Sequence, residues 1–236
     1  MVDELKPKVS VVIPCFNDGR YLREAIDSVE KCKKDMYEII IVNDGSTERL
    51  TKEVLKGLRD DGYNIIDTKN IGPCHARNIG ISNSSGEYIL PVDADNLIKP
   101  EYMVEGVKRL DANPLVGVVY GDCIHFDDKG KKTVSVGEFE RDKMALGNYI
   151  DTCAVFRKKL WKECGGYDES LYAWEDWELW INAYCRGWLF EYIPQVMFYY
   201  RDKPNSLSEK CGDPKVLRTI KDTVMKKHLK FFVTNA

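Results

Sequence analysis

The sequence predicts an α/β fold: a mixed, mostly parallel sheet of nucleotide-binding type with helices on both faces. Three observations predict it. The runs Val9 to Pro14 and Ile39 to Val42 have strand length and, Ser10 apart, are apolar, as parallel strands covered on both faces are. Segments of helical spacing lie between the apolar runs. The strands end in polar clusters, namely Phe16-Asn17-Asp18, Asn43-Asp44-Gly45-Ser46 and Asp93-Ala94-Asp95-Asn96. Asn, Asp, Gly and Ser favour turns. Doubly wound sheets, however, bind ligands beyond the carboxyl ends of their strands, so three such clusters in succession point to a shared site.

The first strand spans 8–14 and stops at Pro14, which cannot donate to a ladder. Tyr21, Leu22, Ala25, Ile26 and Val29 follow with helical spacing. Strand two is 38–42, and a helix over 47–59 follows with Ser46 as N-cap. Strand three is 64–67, helix three 76–83, and strand four 87–92. A helix over 99–110 starts near Pro100, and strand five is 116–120. In the second half, 123–126 and 132–136 flank Asp127-Asp128-Lys129-Gly130, a hairpin signal. Gly165-Gly166-Tyr167-Asp168 leads into a Trp-rich helix over 174–186. Strands over 188–193 and 197–200 complete a domain of residues 1–213, with a nucleotide-binding half at 1–121 and an acceptor half at 122–213.

The tail, 214–236, is a basic helix with an apolar stripe of Val216, Leu217, Ile220, Val224 and Leu229. Such a stripe either packs on the domain or lies on an anionic membrane.

Composition excludes other classes. The chain has 236 residues, 44% hydrophobic and 31% charged, the balance of a globular protein. No apolar run approaches the roughly 18 residues that span a bilayer. The N-terminus is charged and has no apolar signal core, so the expected location is cytoplasmic, with peripheral contact through the tail. A net charge of −3 gives no basis for nucleic-acid binding. The eight cysteines show no C-x-x-C pair and no zinc-finger spacing, and read as reduced thiols.

Asp93-Ala94-Asp95 carries the chemistry of the first half. Two carboxylates in a tight turn after a buried strand suit a hard, oxygen-seeking cation such as Mg²⁺ or Mn²⁺, although the same pattern also occurs as a solvated turn. Glu175-Asp176 sits at a predicted helix start, where acids complement the helix dipole or serve as a base. Trp174, Trp177 and Trp180, at i, i+3 and i+6, form either a core stripe or a sugar-facing surface.

The chain resembles the family 2 glycosyltransferases of GT-A fold. The resemblance rests on Val11 to Asn17, Ile41 to Ser46, Asn70 to Gly80, Asp93 to Asp95 and Trp174 to Leu179, in order and at the family's spacing, over about residues 8–200. It implies an inverting transferase that moves a sugar from a nucleoside diphosphate sugar, most simply a UDP-sugar, to a saccharide or glycolipid acceptor in polysaccharide biosynthesis. By resemblance, Pro14, Phe16, Asp44, Arg77, Asp93 and Ala94 bind the nucleotide. Asp95 holds Mn²⁺ or Mg²⁺, the metal of the DXD motif. Asp176 is the general base, and Glu175, Trp174 and Trp177 bind the acceptor.

One departure stands out. The family often places a metal-binding His shortly after a Tyr-Arg pair, but Tyr200-Arg201 leads into Asp202-Lys203-Pro204 with no His. Asp202, water, or a direct contact from Lys203 to the phosphates can replace it. His75 and His125 read as structural. Two other readings stand against this one. A non-catalytic binding module is opposed by the intact Asp93, Asp95 and Asp176. A sugar-nucleotide pyrophosphorylase is opposed by the lack of a Gly-rich loop after the first strand.

Overall fold

The computed structural model describes residues 6–204, 206, 209 and 213–233. Strand β1 (Val9–Cys15) is apolar on both sides because both sides are covered. It pairs in parallel with β2 (Tyr37–Asp44) and β4 (Tyr88–Pro91), and β2 pairs with β3 (Asn64–Thr68). The two-residue period of a strand divides the burial. Val9, Val11 and Ile13 face one core with Leu22, Ile26 and Val29 of α1 (Gly19–Glu30). Val12, Ile40 and Val42 face a second core with Ala76 and Ile81 of α3 (Pro73–Ser82). Close packing of α3 needs Gly80, where a Cβ would stand 2.4 Å from Val12 Cγ1.

Helix α2 (Arg49–Asp60) follows β2. Two-residue β5 (Leu97–Ile98) and α4 (Pro100–Ala112) follow β4. The second half adds β6 (Val116–Asp127), β7 (Gly130–Val134), α5 (Arg141–Leu146), β8 (Val155–Arg157), α6 (Lys158–Cys164), α7 (Glu175–Cys185) and β9 (Leu189–Arg201). The described strands form one sheet in the order β3-β2-β1-β4-β8-β6-β9-β5, with β7 beside β6. It is parallel from β3 to β4, and β8 then inserts antiparallel to both β4 and β6.

Several boundaries differ from the sequence expectations for identifiable reasons. Ser46 is not the cap of α2, which starts at Arg49 with Glu48 at the N-cap position. Instead, Asn17 Oδ1 accepts from the backbone N–H groups of Thr47 and Glu48 at 2.8 and 2.9 Å, so the β1 loop serves that helix start. Helix α3 begins three residues early, at Pro73, whose fixed φ suits a first helical turn. The two expected terminal strands are one, β9. Its pairing with β6 jumps from Gly121↔Ile193 to Asp122↔Val196, so Pro194 sits in an irregularity that spares it a ladder bond. Likewise, β6 runs unbroken through both expected segments.

The tail forms α8 (Pro214–Lys227) and α9 (Leu229–Val233), which break at His228. Part of its apolar stripe packs on the domain: Ile220 and Val224, joined by Phe231, enter the core that holds Trp177 and Trp180, and Val216 packs against it, whereas Leu229 stays 60% exposed. Glu178, fully buried on α7, receives Lys227 Nζ at 2.8 Å and His228 Nε2 at 2.6 Å. Lys227 also reaches Asp168 at 2.8 Å. No helix among the described residues is long and apolar enough to cross a membrane. The described cysteines are all free, six of them buried, and Cys185 is exposed. Cys211 lies outside the described residues.

Candidate active site

A cavity of about 700 Å³ opens at the carboxyl ends of β1, β2 and β4. Pro14 and Phe16 enter it from the β1 loop, and Asp44 from the end of β2. Phe16 keeps 40% of its surface exposed, leaving its ring face open to a ligand. Asp44 is buried and already engaged. Its Oδ1 accepts from Ile71 N–H at 3.1 Å and its Oδ2 from Gly72 N–H at 2.9 Å. Its carboxylate therefore secures the loop into α3.

Arg77 is the hub. Helix α3 buries it to 4% exposure, and its guanidinium pairs with Asp93 Oδ1 at 2.6 Å and with Glu175 Oε1. Burial works against its charge, but the two carboxylates outweigh burial and hold it protonated well above the usual range. Arg77 ties the turn after β4 to the start of α7.

Asp95 is buried beside Lys203, whose Nζ lies 2.8 Å from Asp95 Oδ2 and 2.5 Å from Asp18 Oδ1. Burial raises the Asp95 pKa, Asp93 raises it further, and Lys203 opposes both. Ala94, between the two acids, does not line the cavity. It is 2% exposed and packs into the core, because alternate residues of this turn point opposite ways. Asp202 is likewise turned aside, bonded to His125 Nδ1 at 3.0 Å. His75 holds Glu169.

On the far wall, Trp174 precedes α7 with φ of 59°, a left-handed conformation that is costly for a bulky residue. It lines the cavity and stacks edge-on against Trp177, with Lys221 above its ring. Trp177 does not reach the cavity. It is 1% exposed, and its Nε1 donates to Met144 O at 2.7 Å, so it is core and not acceptor surface. Trp180 is core as well.

Asp176 is buried at the first turn of α7, and its Oδ1 accepts from Trp177 N–H at 2.8 Å. Burial pushes its carboxyl well above the ordinary range, and the charges of Glu175 and Asp151 add to that. Asp151 was not expected here. It lines the same cavity from the irregular stretch before β8, and burial followed by the charge of Asp93 raises its pKa to about 6. Asn148 and Thr152 line the cavity beside it.

Seven carboxylates line the described cavity, against the cations Arg77, Arg201 and Lys203. Among the described residues, no group of three or more His, Cys, Asp or Glu side chains is placed to hold a metal ion. The described residues thus supply fewer ligands than a closed metal site needs. Mg²⁺-type sites commonly make up the difference with substrate phosphates. Asp95, opening onto the cavity, fits that arrangement, whereas Asp93 is committed to Arg77.

A curled, mostly parallel sheet with an acid-lined cavity at its strand ends defines a GT-A fold. The chain belongs to glycosyltransferase family 2, described as "Glycosyl transferase family 2", whose pattern matches residues 10–165. It is 29% identical over 193 residues to an uncharacterized glycosyltransferase of Rickettsia bellii, covering 77% of this chain and 27% of that protein. The chain thus spans only about a quarter of that relative's length. The crystal structure of S. aureus TarS with UDP-GlcNAc superposes with a TM-score of 0.73, at 21% identity, over 95% of this chain and 72% of the other. A mannosyltransferase from Pyrobaculum calidifontis, in complex with GDP-Man and Mn²⁺, gives 0.72 at 18% identity, over 95% and 65%.

Proposed function

We propose that this chain transfers a sugar, with inversion, from a nucleoside diphosphate sugar to a hydroxyl of a saccharide or glycolipid. A UDP-sugar is the donor we favour. The observation that carries the reading is the convergence of Phe16, Asp44, Asp93, Asp95, Trp174 and Asp176 on one cavity. These residues come from both halves of the chain, so one space has a nucleotide side and an acceptor side.

The base lies against Phe16, within reach of Asp44. Asp95 faces the diphosphate and would hold a divalent ion, Mn²⁺ or Mg²⁺. The ion, when bound, offsets the charge that builds on the leaving diphosphate. On the opposite wall Asp176 accepts the proton of the attacking hydroxyl. Sugar hydroxyls are very weak acids, so attack needs a base within hydrogen-bond reach. Its burial and the adjacent charges of Glu175 and Asp151 make Asp176 a stronger base than a solvated carboxylate. The Glu175 oxygen bonded to Arg77 fixes the start of α7, and its other oxygen is assigned to the acceptor. Trp174 supplies the apolar face for the acceptor ring. A single displacement on the face opposite the diphosphate inverts the anomeric centre.

The test is a transfer and hydrolysis screen over UDP-, GDP- and dTDP-sugars, with Mn²⁺ and with chelator. Product diphosphate from one donor class, suppressed in Asp176→Asn, supports the reading. Tight nucleotide binding without turnover on any donor or acceptor sinks it in favour of a binding module.

A further inference from the structure

The cavity binds a polyanion on this reading, yet its own wall is anionic. Of its three cations, two are tied down. Arg77 is enclosed between Asp93 and Glu175. Arg201 donates from Nε to Asp95 O at 3.0 Å and from Nη2 to Glu24 Oε2 at 2.7 Å, and lies over the rings of Tyr21 and Phe126. Lys203 differs. Its ammonium sits on a flexible stem between Asp18 and Asp95, occupying the position of a cation bound by two carboxylates.

We propose that Lys203 is an exchangeable internal counter-ion. In the free protein its ammonium neutralises Asp18 and Asp95. When donor and divalent ion enter, it leaves Asp95 and pairs with the diphosphate. This deepens the glycosyltransferase reading and rests on it for the identity of the polyanion.

The physics requires a competition. A dication approaching Asp95 meets a positive charge 2.8 Å from one carboxylate oxygen, so metal alone is opposed until the ammonium departs. Lysine is well suited to this, because it binds phosphate as a compact point charge and needs no fixed fork geometry. A diphosphate provides the new partner, so metal and nucleotide help each other to bind. By thermodynamic linkage, each raises the affinity of the other by the same factor.

The test measures binding and not turnover. Free Mn²⁺ is titrated by electron paramagnetic resonance, without nucleotide, into wild type, Lys203→Met and Lys203→Arg. Lys203→Met is expected to bind Mn²⁺ about tenfold more tightly than wild type, a change of about 1.4 kcal/mol, and Lys203→Arg to stay near wild type. Calorimetry in chelator is expected to show UDP about tenfold weaker in Lys203→Met, with UMP, which lacks the second phosphate, much less affected. Asp95→Asn should abolish the Mn²⁺ gain. Equal Mn²⁺ affinity in wild type and Lys203→Met overturns the proposal, as does an equal loss of UDP and UMP. If wild type binds no UDP at all, the donor reading fails, and the Mn²⁺ titration still decides whether Lys203 guards Asp95. Melting temperatures of each variant show that the comparison is between folded proteins.

Discussion

The guanidinium of Arg77, in the third helix, is ion-paired with the carboxylate of Glu175, which opens α7 98 positions later in the chain. The same guanidinium holds Asp93 at 2.6 Å. One buried cation therefore fixes the nucleotide side of the cavity to the acceptor side. Arg77→Met is expected to destabilise the protein by about 3–5 kcal/mol, because it strands two acids without their partner. Adding Glu175→Gln should recover part of the loss, since one uncompensated charge goes. Urea unfolding of the single and double variants measures both, and additive losses would show that the pair does not act as a unit.

Asp176→Asn preserves shape and removes the proton acceptor. We expect kcat to fall by about 10²–10⁴, the range for general base catalysis, with UDP affinity near wild type. Steady-state kinetics and calorimetry check the two halves of this expectation. Wild-type turnover in the variant removes Asp176 from the chemistry.

Asp95→Ala should abolish most turnover and weaken UDP binding in Mn²⁺, because the diphosphate charge is then offset less well. Chelator should do the same to wild type. Full activity of wild type in excess chelator would exclude a metal role for Asp95.

The acid side of the pH profile is set by a carboxyl cluster. Burial and the neighbouring charges of Glu175 and Asp151 raise the Asp176 pKa, so activity should decline on acidification well above the pH at which a solvated carboxylate protonates. Removing a neighbouring anion lowers that pKa, and Asp151→Asn should move the acid limb to lower pH. Stability responds through Asp151 itself. Burial holds its pKa at about 6 in the folded state, against about 3.9 for a solvated aspartate. The folded state therefore holds the proton more tightly, and stability falls as pH rises between those values. Thermal melts across pH 4 to 7 should be flatter in Asp151→Asn.

The first half of the fold was legible because its strands are continuous apolar runs and its helices are long enough to show a period. The short elements β5, β8, α5 and α6 were not, since two to seven residues carry no periodic signal and form only by packing. Asp93, Asp95 and Asp176 were legible as motifs. Asp151 was not, because its neighbours Tyr149, Ile150 and Thr152 form no pattern, and only the folded chain brings it to Asp176. Trp174 and Trp177 show a different limit. Spacing of i and i+3 places two residues on one helical face only if both are in the helix. Trp174 lies outside it in a left-handed turn, and so the two rings diverge, one to the cavity and one to the core.

The tail has a consequence for anyone who trims this chain. Glu178 is two positions beyond Asp176 on α7 and is fully buried, and among the described residues its ion-pair partners are Lys227 and His228. Cutting before α8 uncovers the apolar floor beneath Trp177 and leaves an orphan anion on the helix that carries the proposed base. A fragment ending there, however complete its motifs, has lost the buttress that keeps its active-site helix seated.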